Sequence, residues 1–237
     1  MIPEFCVILP AAGKSTRFQG FGKKKPFVEL NGVPIWKRTV DVFKARSDVG
    51  EIVLVLSDED IDEFRKIFAG HLDGILTVAG GESRANSVRN GLQASNSELE
   101  FVAVHDAARP LIRPFVIDGV FESARQVGAA IPGIPVTSTV KRVDSEQKIT
   151  GTVERSPLRL AQTPQCFSRK ILESSIGAAG AQLESFTDEA SIVEANGHEV
   201  RITPGAWDNI KITTPDDFEL ARLILNGDST EGSRKPQ

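Results

Sequence analysis

Short apolar runs alternate with helical patterns along the first half of the chain. Phe5–Leu9 (FCVIL), Ile52–Leu56 (IVLVL) and Phe101–Val104 (FVAV) are brief and bounded by polar or glycine residues, so they predict buried strands. Helix patterns lie between and after them. Pro34 to Arg46 opens on proline and places Trp36, Val40 and Phe43 at helical spacing. Asp58 to Ala69, Ser83 to Ala94 and Pro114 to Val127 follow. This repetition predicts an α/β fold with a mostly parallel sheet and helices on both faces. Ligands of such sheets sit at the carboxyl ends of the strands, which directs attention to the residues after Leu9 and after Val104.

The rhythm breaks in the middle. Ile134–Val143 and Ile149–Glu154 are rich in Thr and Val, alternate, and are joined by the polar run Asp144–Lys148, which predicts a β-hairpin. Its apolar surface is too small for it to stand alone, so it is expected to pack on another subunit or fold back. The α/β pattern then resumes with helices at Arg169–Ser175 and Asp188–Ala195, a strand at Glu199–Thr203 and a last helix from Pro215 to Leu225. One domain over residues 1–226 is expected, with the hairpin arm near 135–155 and a disordered polar tail over 227–237.

Composition narrows the class. Of 237 residues, 25% are charged and 40% hydrophobic, as in an ordinary folded protein rather than a disordered one. The net charge of −4 argues against a nucleic-acid binder. Two cysteines, Cys6 and Cys166, form neither a disulfide framework nor a metal-ligand spacing, which fits a reducing cytoplasm. No apolar run reaches the ~20 residues of a membrane span, and no basic stretch precedes a long apolar core at the N-terminus. A cytoplasmic protein without membrane attachment is expected.

Candidate chemistry lies where the sheet rule puts it. The first strand runs into Pro10, Ala11, Ala12, Gly13, Lys14, Ser15, Thr16 and Arg17, with Lys23, Lys24 and Lys25 close behind. Small residues let backbone N–H groups approach an anion, and the cations suit a nucleoside triphosphate; a tight turn with a solvated basic loop is the plainer alternative. Neither the P-loop nor the dinucleotide fingerprint is present. Asp106, just past Val104, could hold Mg²⁺ on phosphate oxygens or act as a turn carboxylate. His105 reads as a packed strand-end histidine, because no serine or cysteine nucleophile accompanies it. In Gly80–Ser87 (GGESRANS), Ser83 could cap a helix and Ser87 face a ligand. Thr187–Ser191 has the signature of a helix start. Asp208 could be a second metal carboxylate and Lys211 a phosphate-binding cation, or both could belong to a solvated loop.

Eight segments, in order, resemble the 2-C-methyl-D-erythritol 4-phosphate cytidylyltransferase family of the non-mevalonate isoprenoid pathway: PAAGKSTR (Pro10–Arg17), GGESRANSV (Gly80–Val88), VHDAARP (Val104–Pro110), STVKR (Ser138–Arg142), TVER (Thr152–Arg155), QTPQCF (Gln162–Phe167), TDEAS (Thr187–Ser191) and DNIKIT (Asp208–Thr213). They span nearly the whole chain except its tail. The glycine-containing turn is widespread among sugar nucleotidyltransferases, whereas the HDAARP, TPQ, TDEAS and DNIKIT set is much more specific.

The resemblance implies a Rossmann-like nucleotidyltransferase domain that transfers CMP from CTP to a polyol phosphate. It also implies a homodimer whose hairpin arms enter each other's active sites, and a Mg²⁺ or other divalent cofactor. Arg17 and Lys25 match the pair that stabilises the transition state, with Arg155 and Lys211 also catalytic. Pro10, Ala11, Ala12, Gly13, Gly81, Glu82, Ser87 and Asp106 fall on the nucleotide. Asp106, Arg109, Thr139, Arg155, Thr163 and Lys211 fall on the acceptor, with Arg155 supplied by the other subunit. Asp106 and Asp208 fall on the metal side. The acceptor is already an anionic phosphate, so no general base is needed.

The chain departs from the family pattern at three points. Ser15 replaces a common glycine. Lys24-Lys25-Pro26 replaces P-K-Q in a loop one residue longer, and Lys25 is chosen by its spacing to Phe27 and Gly32. Ser138 replaces the aspartate before the acceptor threonine, which keeps another polyol phosphate, such as ribitol 5-phosphate, as an alternative acceptor. A non-catalytic relative is a further alternative, opposed by the intact Arg17, Lys25, Asp106, Arg155 and Lys211.

Overall fold

The structure is a computed structural model that describes residues 2–12 and 27–231. Strands β1 (Phe5–Pro10), β4 (Val49–Leu56), β5 (Ile75–Ala79) and β6 (Phe101–Val104) pair in parallel in the order β6-β1-β4-β5. Beyond β6 lie β11 (Gln165–Ser168) and then β7 (Ala129–Pro135). β11 runs antiparallel to both neighbours. β10 (Arg159–Ala161) and β12 (Arg201–Pro204) complete this sheet by pairing with β7. The sheet is therefore mixed at one end and parallel where the predicted strands lie.

Strand alternation builds two cores at once. In β1, Phe5, Val7 and Leu9 enter one core while Cys6 and Ile8 enter the other. Ile52, Leu54 and Leu56 of β4 repeat the division against Val53 and Val55. A strand buried on both faces reads as an unbroken apolar run for this reason. The first core is closed by α1 (Ile35–Lys44), α2 (Ile61–Ile67) and α4 (Pro114–Val127), through Trp36, Phe43, Phe64 and Phe121. The second is closed by α3 (Arg84–Ala94), α5 (Arg169–Ala179) and α6 (Glu189–Ala195). Helices thus cover both faces, as the alternation predicts.

Helix boundaries follow local chemistry. Ser83 accepts the Asn86 N–H and caps α3, and Asp188 and Ser191 form a reciprocal capping box on α6. Pro114 begins α4, and Gly128, at φ 84°, ends it in the left-handed region.

Three expectations are corrected. Ile134 and Pro135 belong to β7 of the main sheet, so the hairpin is shorter: β8 (Val140–Val143) with β9 (Ile149–Val153). The periodic alternation runs unbroken into β7 because both segments are extended. The last helix, α7 (Pro215–Glu231), continues beyond Leu225 and takes in the first residues assigned to the tail. The Asp58–Ala69 helix is shorter, with α2 followed by a separate 3₁₀ turn at Ala69–His71. A short hairpin, β2 (Glu29–Leu30) with β3 (Val33–Pro34), precedes α1.

Candidate active site

The carboxyl ends of β1 and β6 open beside one another, and the turn from β5 into α3 closes in beside β1. Ala11 N donates to Val55 O, continuing the strand pairing up to the start of the loop. Gly80 packs against this end: a Cβ there would lie 2.7 Å from Ala12 Cβ and 2.8 Å from Ser87 Oγ. Only glycine allows so close an approach of the two turns. Ser87 Oγ accepts the Gly81 N–H at 3.1 Å and donates to Ser83 O at 2.9 Å. Its hydroxyl is buried and fixes the turn from within, while Glu82 is exposed.

A charged cluster occupies the end of β6. Asp106 Oδ2 lies 3.0 Å from Lys211 Nζ and 3.2 Å from Arg109 Nε, and Oδ1 lies 3.4 Å from Arg84 Nε. Burial alone would raise the Asp106 carboxyl, but Lys211, Arg84 and Arg109 outweigh it and hold it well below the ordinary carboxylate range. Arg84 also donates from Nη1 to Glu189 Oε1 at 2.7 Å. Lys211 keeps about a third of its side chain exposed, with a relative exposure of 37%, so this ammonium faces both Asp106 and solvent.

Hydrogen bonds from three chain segments fix the cluster. Arg109 Nη1 donates to Asn209 O at 2.7 Å, and Asn209 Nδ2 donates to Thr163 O at 2.9 Å. Gln162 Nε2 donates to Ala206 O, and Ala206 N returns a bond to Gln162 Oε1. Gln165 ties β11 to the start of α6, donating to Asp188 Oδ2 and accepting the Ala190 N–H. The HDAARP, QTPQ, TDEAS and DNIK segments therefore meet as one unit.

His105 is buried and neutral at physiological pH. Thr163 Oγ1 accepts the Asp106 N–H and lies 3.0 Å from His105 Nδ1. Arg109 O can only accept, so Nε2 carries the proton of the neutral ring and donates to it at 3.2 Å, which leaves Nδ1 to accept from the Thr163 hydroxyl. Burial lowers the imidazole from 6.5 to about 4. Both ring nitrogens are occupied, in keeping with a packed histidine rather than a base.

The structure brings together Asp106, Arg109, Thr163 and Lys211, with Ala11, Ala12, Gly81 and Ser87 at the neighbouring turns. Thr163 is buried, with its hydroxyl bonded to His105 and Asp106. Thr139 and Arg155 lie exposed on the arm, where Arg155 donates to Thr137 O. Gly13, Arg17 and Lys25, with Ser15 and Lys24, lie outside the described residues.

The two carboxylates expected on the metal side are both ion-paired. Asp106 has both oxygens turned to cations, and Asp208 Oδ2 accepts from Arg113. Among the described residues no group of three or more His, Cys, Asp or Glu side chains could hold an ion. Asp208 Oδ1 is buried without a hydrogen-bond partner, so this carboxylate keeps an oxygen of the kind a hard divalent cation takes.

Sequence reasoning missed Arg84 and Glu189. Both lie inside quoted motifs, but capping explained those motifs well enough alone. Nothing in a sequence indicates that two charges 105 positions apart share an ion pair. Gln162 and Asn209 were likewise quoted without a role; polar residues in otherwise short apolar segments were the available signal.

The family model IspD: 2-C-methyl-D-erythritol 4-phosphate cytidylyltransferase matches residues 5–227. The 2-C-methyl-D-erythritol 4-phosphate cytidylyltransferase of Bacillus licheniformis is 41% identical over 224 residues, covering 94% of this chain and 96% of that protein. Its counterpart from Solibacter usitatus is 40% identical over 97% of this chain and 99% of its own length. The crystal structure of 4-diphosphocytidyl-2C-methyl-D-erythritol synthase from Anaerococcus prevotii superposes with a TM-score of 0.81 at 26% identity, over 94% of this chain and 99% of that one. A match from β1 into α7, carrying with it the segments that build the charged cluster, places this chain in the 2-C-methyl-D-erythritol 4-phosphate cytidylyltransferase family.

Proposed function

We propose that the cations around Asp106 receive the phosphate of 2-C-methyl-D-erythritol 4-phosphate while the turns at Ala11–Ala12 and Gly80–Gly81 hold CTP. The chain then transfers CMP to the acceptor, forming 4-diphosphocytidyl-2-C-methyl-D-erythritol and releasing pyrophosphate. The observation that carries this reading is the convergence of Arg84, Arg109 and Lys211 on the single carboxylate of Asp106 at a strand carboxyl end. Such an excess of positive charge beside a glycine turn suits two phosphorylated substrates.

The attacking group is an acceptor phosphate oxygen, anionic near neutral pH. No residue has to remove a proton, and a neutral His105 with both nitrogens bonded is consistent with that. What the protein must supply is the approach of two polyanions and relief of charge at the α-phosphorus. Lys211 and Arg109 align the acceptor; Arg17 and Lys25 serve the triphosphate and the departing pyrophosphate. A divalent cation would neutralise triphosphate charge in this scheme, and Asp106 and Asp208 would be the carboxylates on its side.

The active enzyme in this reading is a homodimer with exchanged arms. Among the described residues β8 and β9 pair only with each other, and Val143 and Ile149 are exposed on them. Thr139 and Arg155 stand on this arm rather than at the cluster, which suits their use by a second subunit. Two free, buried cysteines fit a reducing cytoplasm as its place of work. No helix among the described residues is long and apolar enough to cross a membrane.

The test is pyrophosphate release from CTP with Mg²⁺, offering methylerythritol phosphate and ribitol 5-phosphate separately. Release with the first alone is expected and makes Ser138 a neutral variation. Preference for ribitol 5-phosphate would replace the acceptor while keeping the transfer chemistry.

A further inference from the structure

Arg84 stands between two carboxylates from distant parts of the chain. Its Nη1 donates to Glu189 Oε1 at 2.7 Å, and its Nε reaches Asp106 Oδ1 at 3.4 Å. Glu189 is fully buried, and its second oxygen, Oε2, has no hydrogen-bond partner.

This is a costly way to hold a helix in place. A buried carboxylate with one oxygen unmet loses hydration that a single ion pair does not fully replace, and an apolar pair of similar size would often be as stable. Helix α6 has no need of Glu189 at its start, because the Asp188–Ser191 capping box already satisfies the first turn. Burial pushes the Glu189 carboxyl above its ordinary range despite the opposing charge of Arg84. The Arg84 guanidinium is held above its ordinary range, since Glu189 and Asp106 together outweigh the effect of its own burial.

Location gives the pair a purpose. Arg84 is the first residue of α3, directly after the Gly80–Gly81 turn and the Ser83 cap, whereas Asp106 carries Lys211 and Arg109 on its other oxygen. We propose that Glu189, acting through Arg84, is a positioning residue for cytidylyl transfer. By taking the Nη1 corner of the guanidinium it limits Arg84 to an Nε contact with Asp106 and joins the nucleotide turn to the acceptor cations. The proposal rests on the acceptor placement given above. Charges alternate along the chain of contacts, from Glu189 through Arg84 and Asp106 to Lys211. Without Glu189, Arg84 is free to close on Asp106 with two nitrogens or to turn toward substrate phosphate. Either move loosens the hold of Asp106 on Lys211 and Arg109.

The test uses the full chain and separates position from packing. Glu189→Gln keeps shape and hydrogen bonding but removes the charge. With pyrophosphate release as the assay, kcat is expected to fall about tenfold or more while KM for CTP stays within about threefold, with little change in melting temperature. The neutral pair Arg84→Gln with Glu189→Gln is expected to melt near wild type and to remain slow. Wild-type kcat in Glu189→Gln would overturn the proposal. So would recovery of wild-type kcat in the neutral pair, because that would make the ion pair a packing element. Lys211→Ala in the same series tests the acceptor placement itself. Loss of activity there alongside wild-type behaviour of Glu189→Gln overturns the present inference alone; an unchanged acceptor KM and kcat in Lys211→Ala overturns the placement.

Discussion

The Thr163 hydroxyl lies 3.0 Å from Nδ1 of His105 and donates to it, since the proton of the neutral ring sits on Nε2 against the Arg109 carbonyl. The same hydroxyl accepts the Asp106 N–H, so one side chain ties the histidine to the loop that carries Asp106. Thr163, a substrate-ligand candidate in the sequence, is thus bonded to the protein's own groups.

Thr163→Val is therefore expected to destabilise the protein. It keeps the shape but leaves the Asp106 N–H and His105 Nδ1 without their partner, at a cost of about 1–3 kcal/mol for an unmet buried group. Thr163→Ser should restore most of that loss. Denaturant unfolding of the three proteins measures it; a valine variant of wild-type stability with impaired acceptor KM would return Thr163 to the substrate.

His105 makes stability fall on the acid side. Its folded value of about 4 lies below the ordinary 6.5, so between these the unfolded chain binds the extra proton. The contribution of the neutral ring is complete above about pH 6.5, declines as pH falls toward 4, and changes no further below it. Melting temperatures of wild type and His105→Gln across this range should converge as pH drops. A constant difference would mean that the imidazole does not titrate on unfolding as described.

Gly80→Ala should weaken nucleotide binding. The added methyl would lie within 3 Å of both Ala12 Cβ and Ser87 Oγ, forcing apart the two turns assigned to CTP. A rise of about tenfold in KM for CTP, with a much smaller change in KM for the acceptor, is the expected result in steady-state kinetics. Unchanged kinetics would show that the turns can separate without affecting CTP.

Exchange of arms predicts complementation. Lys25→Ala and Arg155→Ala should each be nearly inactive as pure proteins, whereas verified heterodimers should regain activity from one site that contains neither substitution. Absence of recovery would confine Arg155 to its own subunit.

Much of this architecture is legible along the chain because its strands are buried on both faces. β1, β4 and β6 are apolar at every central position, and α4 begins and ends where Pro114 and Val127 predict. β7 and β11 were hidden for a different reason. Ala129, Ala130 and Gly133 in β7 are small residues chosen by close packing, so no strong pattern announces a strand, and the antiparallel entry of β11 is a matter of topology. Such pairings depend on distant partners rather than on local preference.

The same division runs through the site. The sequence alone determined which segments carry chemistry, since small residues after β1 and charged residues after β6 are local features, and it determined the family through their order. Only the tertiary structure decided what those charges do. It made Asp106 the common partner of Arg84, Arg109 and Lys211, placed Arg155 on an exposed arm, and drew the unremarked Glu189 into contact with Arg84. Ion pairs fall off with distance and depend on burial, and both are properties of the folded chain that residue order does not display.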